Sequence, residues 1–354
     1  MELKPDWEKV KKRYLAFWAG EIYDRVLFSI TVPGKKKPAF FPPDNPEKRF
    51  TDSHYLVASC LAQLENTLYL ADALPVLDSS CGLLFPDCLF GVKIIYGQTI
   101  WTKPVYSSCR QLLASVGQNF SSPLLKKQEQ HLRKICNQAK GKCLVMMPPL
   151  TAGLDCLASL LGAEKLCLEM MDCPDLVKKA LLTIDEAFCF LHHHFYHIIM
   201  SSGVEPTGFL PLWSPEEAAV LQCDFSNLIS PSLFETFVLP SLNFCSQKIR
   251  RVIFHLDGIP ALRHLPALVS CEKVQVIQWQ PRGPKRIVSG VERWLPLFQK
   301  IQKAGRKLYV FCHACQVELV LTTLSSRNLF LETEAEDIQQ ACYLEKLAFK
   351  LTHD

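Results

Sequence analysis

The sequence is short of the features that mark the special protein classes. It has no long uninterrupted apolar run: the greasiest window, Cys143 to Ala163, contains Pro148, Pro149, Gly153 and Asp155, which excludes a plain membrane-spanning helix. The first residues, MELKPDWEKVKKRYLAFW, are charged and amphipathic, so neither a signal peptide nor a membrane anchor is expected there. Basic residues form no long run either. The densest cluster is Lys35-Lys36-Lys37 and the net charge is only +4, so nucleic acid and anionic membrane are not expected partners. No GxGxxG or Walker-type loop follows a strand-like segment, which argues against the nucleotide-binding folds, and no Gly-x-Ser-x-Gly elbow occurs. The sixteen cysteines are scattered singly rather than spaced as a disulfide framework, which predicts reduced thiols and a cytoplasmic protein. Repeats and low-complexity segments are absent.

What is present is a large apolar fraction, 49% of 354 residues, enough for one sizeable core. Residues 5–20 predict an N-terminal helix, with Trp7, Val10, Tyr14 and Phe17/Trp18 at helical spacing. Strand-like segments follow at 26–33, 74–78, 143–148, 207–212, 251–255, 274–279, 307–312 and 328–332. Between them run helical patterns at 51–73, 122–139, 151–201 (broken near Cys173-Pro174), 230–248, 258–269, 290–304, 315–324 and 335–351. Residues 79–120, with VKIIYG and IWTKPVY, predict a hairpin-like insertion. Near-continuous apolar strands alternating with helices predict a parallel sheet covered on both faces. Eight such units favour a single-domain α/β fold over residues 1–354, a closed TIM (β/α)8 barrel with an N-terminal helical extension.

In a barrel the C-terminal strand ends carry the chemistry. Those ends read Asp78, Trp213-Ser214, His255-Leu256-Asp257-Gly258, Gln278-Trp279, Cys312-His313 and Glu332-Thr333-Glu334. Acids, imidazoles, an amide and two indoles converging on one mouth suit a polar or anionic ligand with a flat apolar body. Each residue also has a bland reading. Asp257, followed by Gly258, fits the N-cap of the next helix, and His255 fits a hydrogen-bonded core histidine; the pair together raises the functional reading. Cys312-His313-Ala314-Cys315 lacks the second ligand pair of a structural zinc site. In His192-His193-His194-Phe195-Tyr196-His197, the i, i+4 pair His193/His197 lies on an outer helix without the glutamate of a catalytic zinc helix, and is read as solvated histidines.

At residues 219–240, AVLQCDFSNLISPSLFETFVLP, and again at 252–268, the sequence resembles the uroporphyrinogen decarboxylase superfamily, which includes the methyltransferases that charge or unload corrinoid proteins. Cys223-Asp224-Phe225-Ser226, Ile229-Ser230-Pro231 and Phe237-Val238-Leu239-Pro240 carry the likeness, with Leu150 to Ala163 and Val274 to Pro281 in support. The resemblance implies a TIM barrel and a divergent member. The decarboxylase branch has an arginine-rich loop after its first strand, which grips the carboxylates of the porphyrinogen. Here that loop reads VPGKKKPAFFPPD, without arginine, and lysines offer point charges in place of a bidentate fork. Asp72 or Asp78 matches that branch's catalytic acid. The zinc methyltransferases carry His-x-Cys-Gly where this chain has His255-Leu256-Asp257-Gly258, and a cysteine after the last strand where this chain has Glu332-Thr333-Glu334.

The resemblance thus implies methyl transfer between a small methylated compound and a corrinoid protein or cofactor. His255 and Asp257, with Glu332 or Glu334, would bind zinc or polarise the donor. Asp224 would act as acid or base, and Asp78 is a further catalytic candidate. Trp213, Phe225, Gln278 and Trp279 would wall the pocket, and aromatic walls would suit a quaternary ammonium donor. The alternatives are decarboxylation of a tetrapyrrole side chain, and a barrel that only binds a corrinoid or a partner protein.

Overall fold

The computed structural model describes residues 1–35, 41–115, 122–281 and 290–354. Lys36 and Lys37 of the lysine cluster lie outside the described residues. Among the described residues twelve strands form in chain order: β1 Leu27–Pro33, β2 Thr67–Ala71, β3 Val76–Asp78, β4 Lys93–Tyr96, β5 Ile100–Lys103, β6 Leu144–Met146, β7 Pro206–Thr207, β8 Ala218–Gln222, β9 Arg251–Asp257, β10 Val274–Gln280, β11 Lys307–Phe311 and β12 Leu329–Glu334. The main sheet has the order β2-β1-β12-β11-β10-β9-β8, and a second sheet the order β3-β6-β7. All pairings within these sheets are parallel except β1 with β2. The expected hairpin is β4-β5, antiparallel, in the insertion. Helices intervene between most of the parallel strands. Among the described residues no helix is long and apolar enough to cross a membrane.

Among the described residues the strand hydrogen bonds do not close into the expected eight-stranded ring, and two local features bear on this. First, residues 67–71 are not the end of the 51–73 helix. The helix Ser53–Glu65 stops at Asn66, and Thr67–Ala71 turns back to pair antiparallel with β1, Thr31 opposite Tyr69. That strand occupies the edge of β1 that a ring would offer to β3. Second, the expected strand 207–212 is reduced to Pro206–Thr207, while Ala218–Gln222, not among the expected strands, is the strand that pairs with β9. Gly208 and Pro211 interrupt the first segment. A Cβ on Gly208 would fall 2.5 Å from a Val220 methyl, so the chain here passes too close to β8 for any side chain.

One interior runs through both sheets. Alternate strand residues share a face. Leu27, Leu144, Ile253, Val276, Tyr309 and Phe330, near the N-terminal ends of their strands, form a single apolar layer with Trp7, Val10, Tyr14, Phe17 and Trp18 of the helix Trp7–Ala19. Fully burying side chains of this kind stabilises by roughly 1.5–3 kcal/mol each. The helix ends at Gly20, whose φ of +75° lets its N–H reach Ala16 and Phe17 carbonyls. The helix therefore plugs one end of the strands and leaves the other for polar groups.

Asp72 locks the plug in place. Its carboxylate takes Arg13 Nη1 at 3.0 Å, Arg25 Nη1 at 2.5 Å and the Phe28 N–H at 2.9 Å, all buried. Tyr14 donates its hydroxyl to the Asp72 carbonyl at 3.0 Å. With its side chain committed to two guanidinium groups, Asp72 serves as a structural anchor, which leaves Asp78 as the acid with access to the strand ends.

Candidate functional site

Two residues further along each strand face, the apolar layer gives way to a polar one. On β12 the face that begins with Phe330 continues to Glu332 and Glu334; on β1 Leu27 is followed by Ser29 and Thr31. Ladder register sets Ser29 beside Glu332 and Thr31 beside Glu334. With Tyr69 and Thr67 of β2, Val76 and Asp78 of β3, Gln63 and Pro211, they line a cavity of about 390 Å³. That volume lies toward the small end of the roughly 300–1,000 Å³ typical of ligand pockets.

The cavity's charge is one-sided. Asp78, Glu332 and Glu334 line it, and among the described residues no lysine, arginine or histidine does. Glu332 is buried and accepts a short hydrogen bond from the Tyr309 hydroxyl. Asp78 is exposed and holds its own turn, accepting from the Ser80 N–H at 2.8 Å and the Ser80 hydroxyl at 2.6 Å. Burial pushes the Tyr69 phenol up to about 12, and burial with the nearby Asp78 charge pushes the Cys60 thiol up to about 11, so neither is an ionised nucleophile near neutral pH.

The second polar group lies on β9, β10 and the segment after β8. On β9, Ile253, His255 and Asp257 share a face, and on β10 so do Val276, Gln278 and Gln280. His255 and Gln278 are register partners and their side chains are joined by a short contact between Nδ1 and Oε1. Gln278 Nε2 donates to the Trp279 carbonyl at 3.1 Å, so Oε1 is the atom facing the imidazole. An amide oxygen only accepts, so Nδ1 carries the proton and Nε2 is the basic nitrogen. Phe209 meets the ring edge-on at 5.6 Å. Asp224 belongs to the same electrostatic group. Its carboxyl is raised above the usual range by desolvation first and by Asp257 next, with His255 acting in the opposite sense.

Backbone contacts hold these acids together. Asn227 Nδ2 donates to the main-chain oxygens of both Asp224 and Asp257, 3.0 Å each. Gly258 has φ +89°, and a Cβ there would fall 2.4 Å from Asn227 Oδ1, so glycine is required for this approach. Asp155 accepts the Asp224 and Phe225 N–H groups at 2.9 and 2.8 Å. Burial, then the Asp224 charge, pushes its carboxyl up to about 7. The helix-cap reading of Asp257 does not hold: Gly258 occupies the N-cap position of the following helix, and no side chain caps it.

Several expected pocket residues lie elsewhere. Trp213 is at the plugged end, edge-on to Trp7 at 5.4 Å and Tyr14 at 6.1 Å, because the interrupted 207–217 segment returns toward the N-terminal helix. Trp279 alternates with Gln278 and so faces the helix layer, against Trp294 at 5.2 Å. Phe225 is buried in the main hydrophobic core. None of the three lines the cavity; among the described residues its aromatic wall is Tyr69. Cys312 is fully buried, its thiol pushed up to about 12, while Cys315 is exposed. All sixteen cysteines are free. The sequence did not mark Ser29, Thr31, Gln63, Thr67 and Tyr69 as site residues; for Thr67 and Tyr69, on β2, the alternation in TLYLA was the available signal.

The mouth residues do not assemble as an ion site. Among the described residues, the group of three ligand atoms within 4.8 Å of one another is His192, His193 and Glu217, not a set from His255, Asp257, Glu332 and Glu334. The zinc expected at the mouth is therefore not matched by its donor geometry.

The architecture defined above is an α/β fold with a polar, acid-lined mouth. The chain matches no protein-family model and no curated protein. Among solved structures it is similar to a methyltransferase from Methanosarcina mazei, with a TM-score of 0.64 at 11% sequence identity, over 96% of this chain and 98% of that one. At that identity the likeness speaks for a shared fold.

Proposed function

We propose that this protein is a methyl-transfer enzyme that takes the methyl group of a small cationic compound, with a corrinoid on a partner protein as the other party. The observation that carries this reading is the cavity lined by Asp78, Glu332 and Glu334 with no cationic side chain among the described residues. A methyl group on positively charged nitrogen is both attracted to such a site and activated for transfer, because the departing amine is neutral. Two of these acids lie on the strand ends that the resemblance places at the active mouth.

The proposed division of labour follows the two polar groups. The carboxylates, with Ser29, Thr31 and Tyr69, hold the donor. A low-valent corrinoid presented at the mouth would supply the nucleophile. As the carbon–nitrogen bond breaks, its electron pair stays on nitrogen, and the amine then takes up a proton. Asp224 and His255, the second polar group, are assigned the delivery of that proton, the Nε2 of His255 orienting or relaying it. No step in this scheme runs through a metal at His255 and Asp257.

A tetrapyrrole decarboxylase is the less favoured reading. Its substrate carries several carboxylates, and facing them with three more costs several kcal/mol of like-charge repulsion. We further propose that the two sheets act as one interrupted (β/α)8 barrel in a single domain. The support is that strands of both share the apolar layer beneath the plug helix and the cavity above it.

The test is calorimetric titration with tetramethylammonium and methylated amines, followed by anaerobic transfer to free cob(I)alamin monitored by absorbance. Saturable binding of a cationic donor with loss of the cob(I)alamin band supports the proposal. Binding of porphyrinogen carboxylates with no affinity for any methylated cation would overturn it.

A further inference from the structure

The helix Pro174–Ser201 runs along the outside of the sheet and carries His192 and His193 on adjacent positions. Adjacent helix residues do not normally face each other. Here both bend toward Glu217, the residue immediately before β8. His192 Nδ1 lies 2.9 Å from Glu217 Oε1, and His193 Nδ1 lies 2.7 Å from the same oxygen. His192 is buried, while the side chains of His193 and Glu217 are 36% and 16% exposed, so the group has one solvent-facing side.

The other nitrogen of His192 decides what the cluster is for. Nε2 sits 3.1 Å from the Ala218 carbonyl oxygen, which can only accept, so Nε2 carries a hydrogen. In a neutral imidazole Nδ1 is then a lone pair, and it points at a carboxylate oxygen that also offers only lone pairs. Two such atoms do not rest 2.9 Å apart unless something positive lies between them. A backbone carbonyl that fixes one histidine nitrogen as N–H, leaving the other free to ligate, is the usual support of a metal-binding imidazole.

We propose that His192, His193 and Glu217 form a three-ligand site for a divalent cation of the zinc class, which pins the helix Pro174–Ser201 to the start of β8. Two imidazoles and one carboxylate suit zinc better than calcium or magnesium, which favour all-oxygen sets. Ligands about 2.0–2.1 Å from a tetrahedral ion stand about 3.3 Å apart. The three atoms already lie within 4.8 Å of one another, so small side-chain rotations would seat the ion, with water on the open side. The site is built into the scaffold and is independent of the reading of the mouth.

The experiment uses the untagged full chain, stripped with a chelator and then titrated with Zn²⁺ by calorimetry and with Co²⁺ by visible absorption. The expected result is one high-affinity ion per chain, an intense visible cobalt band typical of four-coordination, and a rise of several degrees in melting temperature with zinc. Glu217→Gln and His193→Ala should each weaken binding at least tenfold and abolish the band. His193 is half-exposed, so its variant keeps the test valid if a substitution at His192 prevents folding. Asp257→Asn should bind the ion like the parent. If the stripped chain takes up no stoichiometric zinc at micromolar concentration, a proton occupies the place assigned to the metal and the proposal is overturned. Undiminished binding in both ligand variants would overturn it equally.

Discussion

Gln278 holds His255 by its Nδ1 across the β9–β10 ladder, the two residues being direct register partners. The amide thus selects which imidazole nitrogen is basic, at a strand end where burial first and the Asp257 charge next raise the neighbouring Asp224 carboxyl.

If that imidazole works as proposed, His255→Ala should fold with a melting temperature within a few degrees of the parent. It should lose about 10²-fold or more in methyl-transfer rate, the scale of a positioned acid–base group. Gln278→Leu removes only the tautomer lock and should cost less. Full activity in both variants would place the chemistry elsewhere on the mouth.

The acidic cavity makes a binding prediction of its own. Asp78→Asn and Glu334→Gln should each weaken a quaternary ammonium ligand by about tenfold, equivalent to about 1.4 kcal/mol, and the loss should shrink as salt is added. Glu332→Gln should cost more, since this carboxylate is buried and bonded to Tyr309. Calorimetric titration at two ionic strengths measures this. Equal affinity in all three variants would move the ligand out of this cavity.

Asp72→Ala is expected to act on stability rather than on binding. It leaves the Arg13 and Arg25 guanidinium groups, with side chains only 3% and 0% exposed, without their shared carboxylate. Removing one partner of a buried ion pair typically costs about 3–5 kcal/mol. Urea unfolding should show a loss of that order. A folded, equally stable variant that has lost activity would instead return Asp72 to the catalytic candidates.

Asp185 supplies a pH test. It is buried in the helix layer, and burial pushes its carboxyl up to about 7 from an ordinary 3.8, despite bonds from Ser241 and the Gly153 N–H. Since the folded value lies above the unfolded one, the associated stability is fully present below about pH 4 and is lost as pH rises through about 7. Asp185→Asn cannot ionise. Its melting temperature relative to the parent should therefore climb by several degrees between pH 5 and pH 8. Asp87 and Asp155, also raised, titrate in both proteins and cancel in the difference. A flat difference would mean that Asp185 is solvated or paired when charged.

Local patterning was enough to reveal much of this protein. Helical spacing in Trp7 to Trp18 foretold the buried stripe of the plug, and apolar runs marked β1, β6 and β9 to β12 to within a few residues, because burial on both faces demands continuous apolar strands. The strand-end acids were equally visible, since an ionised side chain closing such a run has few places to go but the mouth. The tertiary structure decided the rest. Thr67–Ala71 has the composition of a helix end and becomes a strand only because β1 offers it an edge. Trp213 follows one expected strand segment and Trp279 ends another, but a broken strand sends the first to the plugged end and a one-residue alternation turns the second toward the helices. His192 and His193 look like solvated helix residues until Glu217, twenty-four residues beyond His193, folds back against them. Sequence spacing reports which face of its own element a residue occupies. What meets that face is set by the packing of distant segments, and that is where charge, tautomer and ligand geometry are determined.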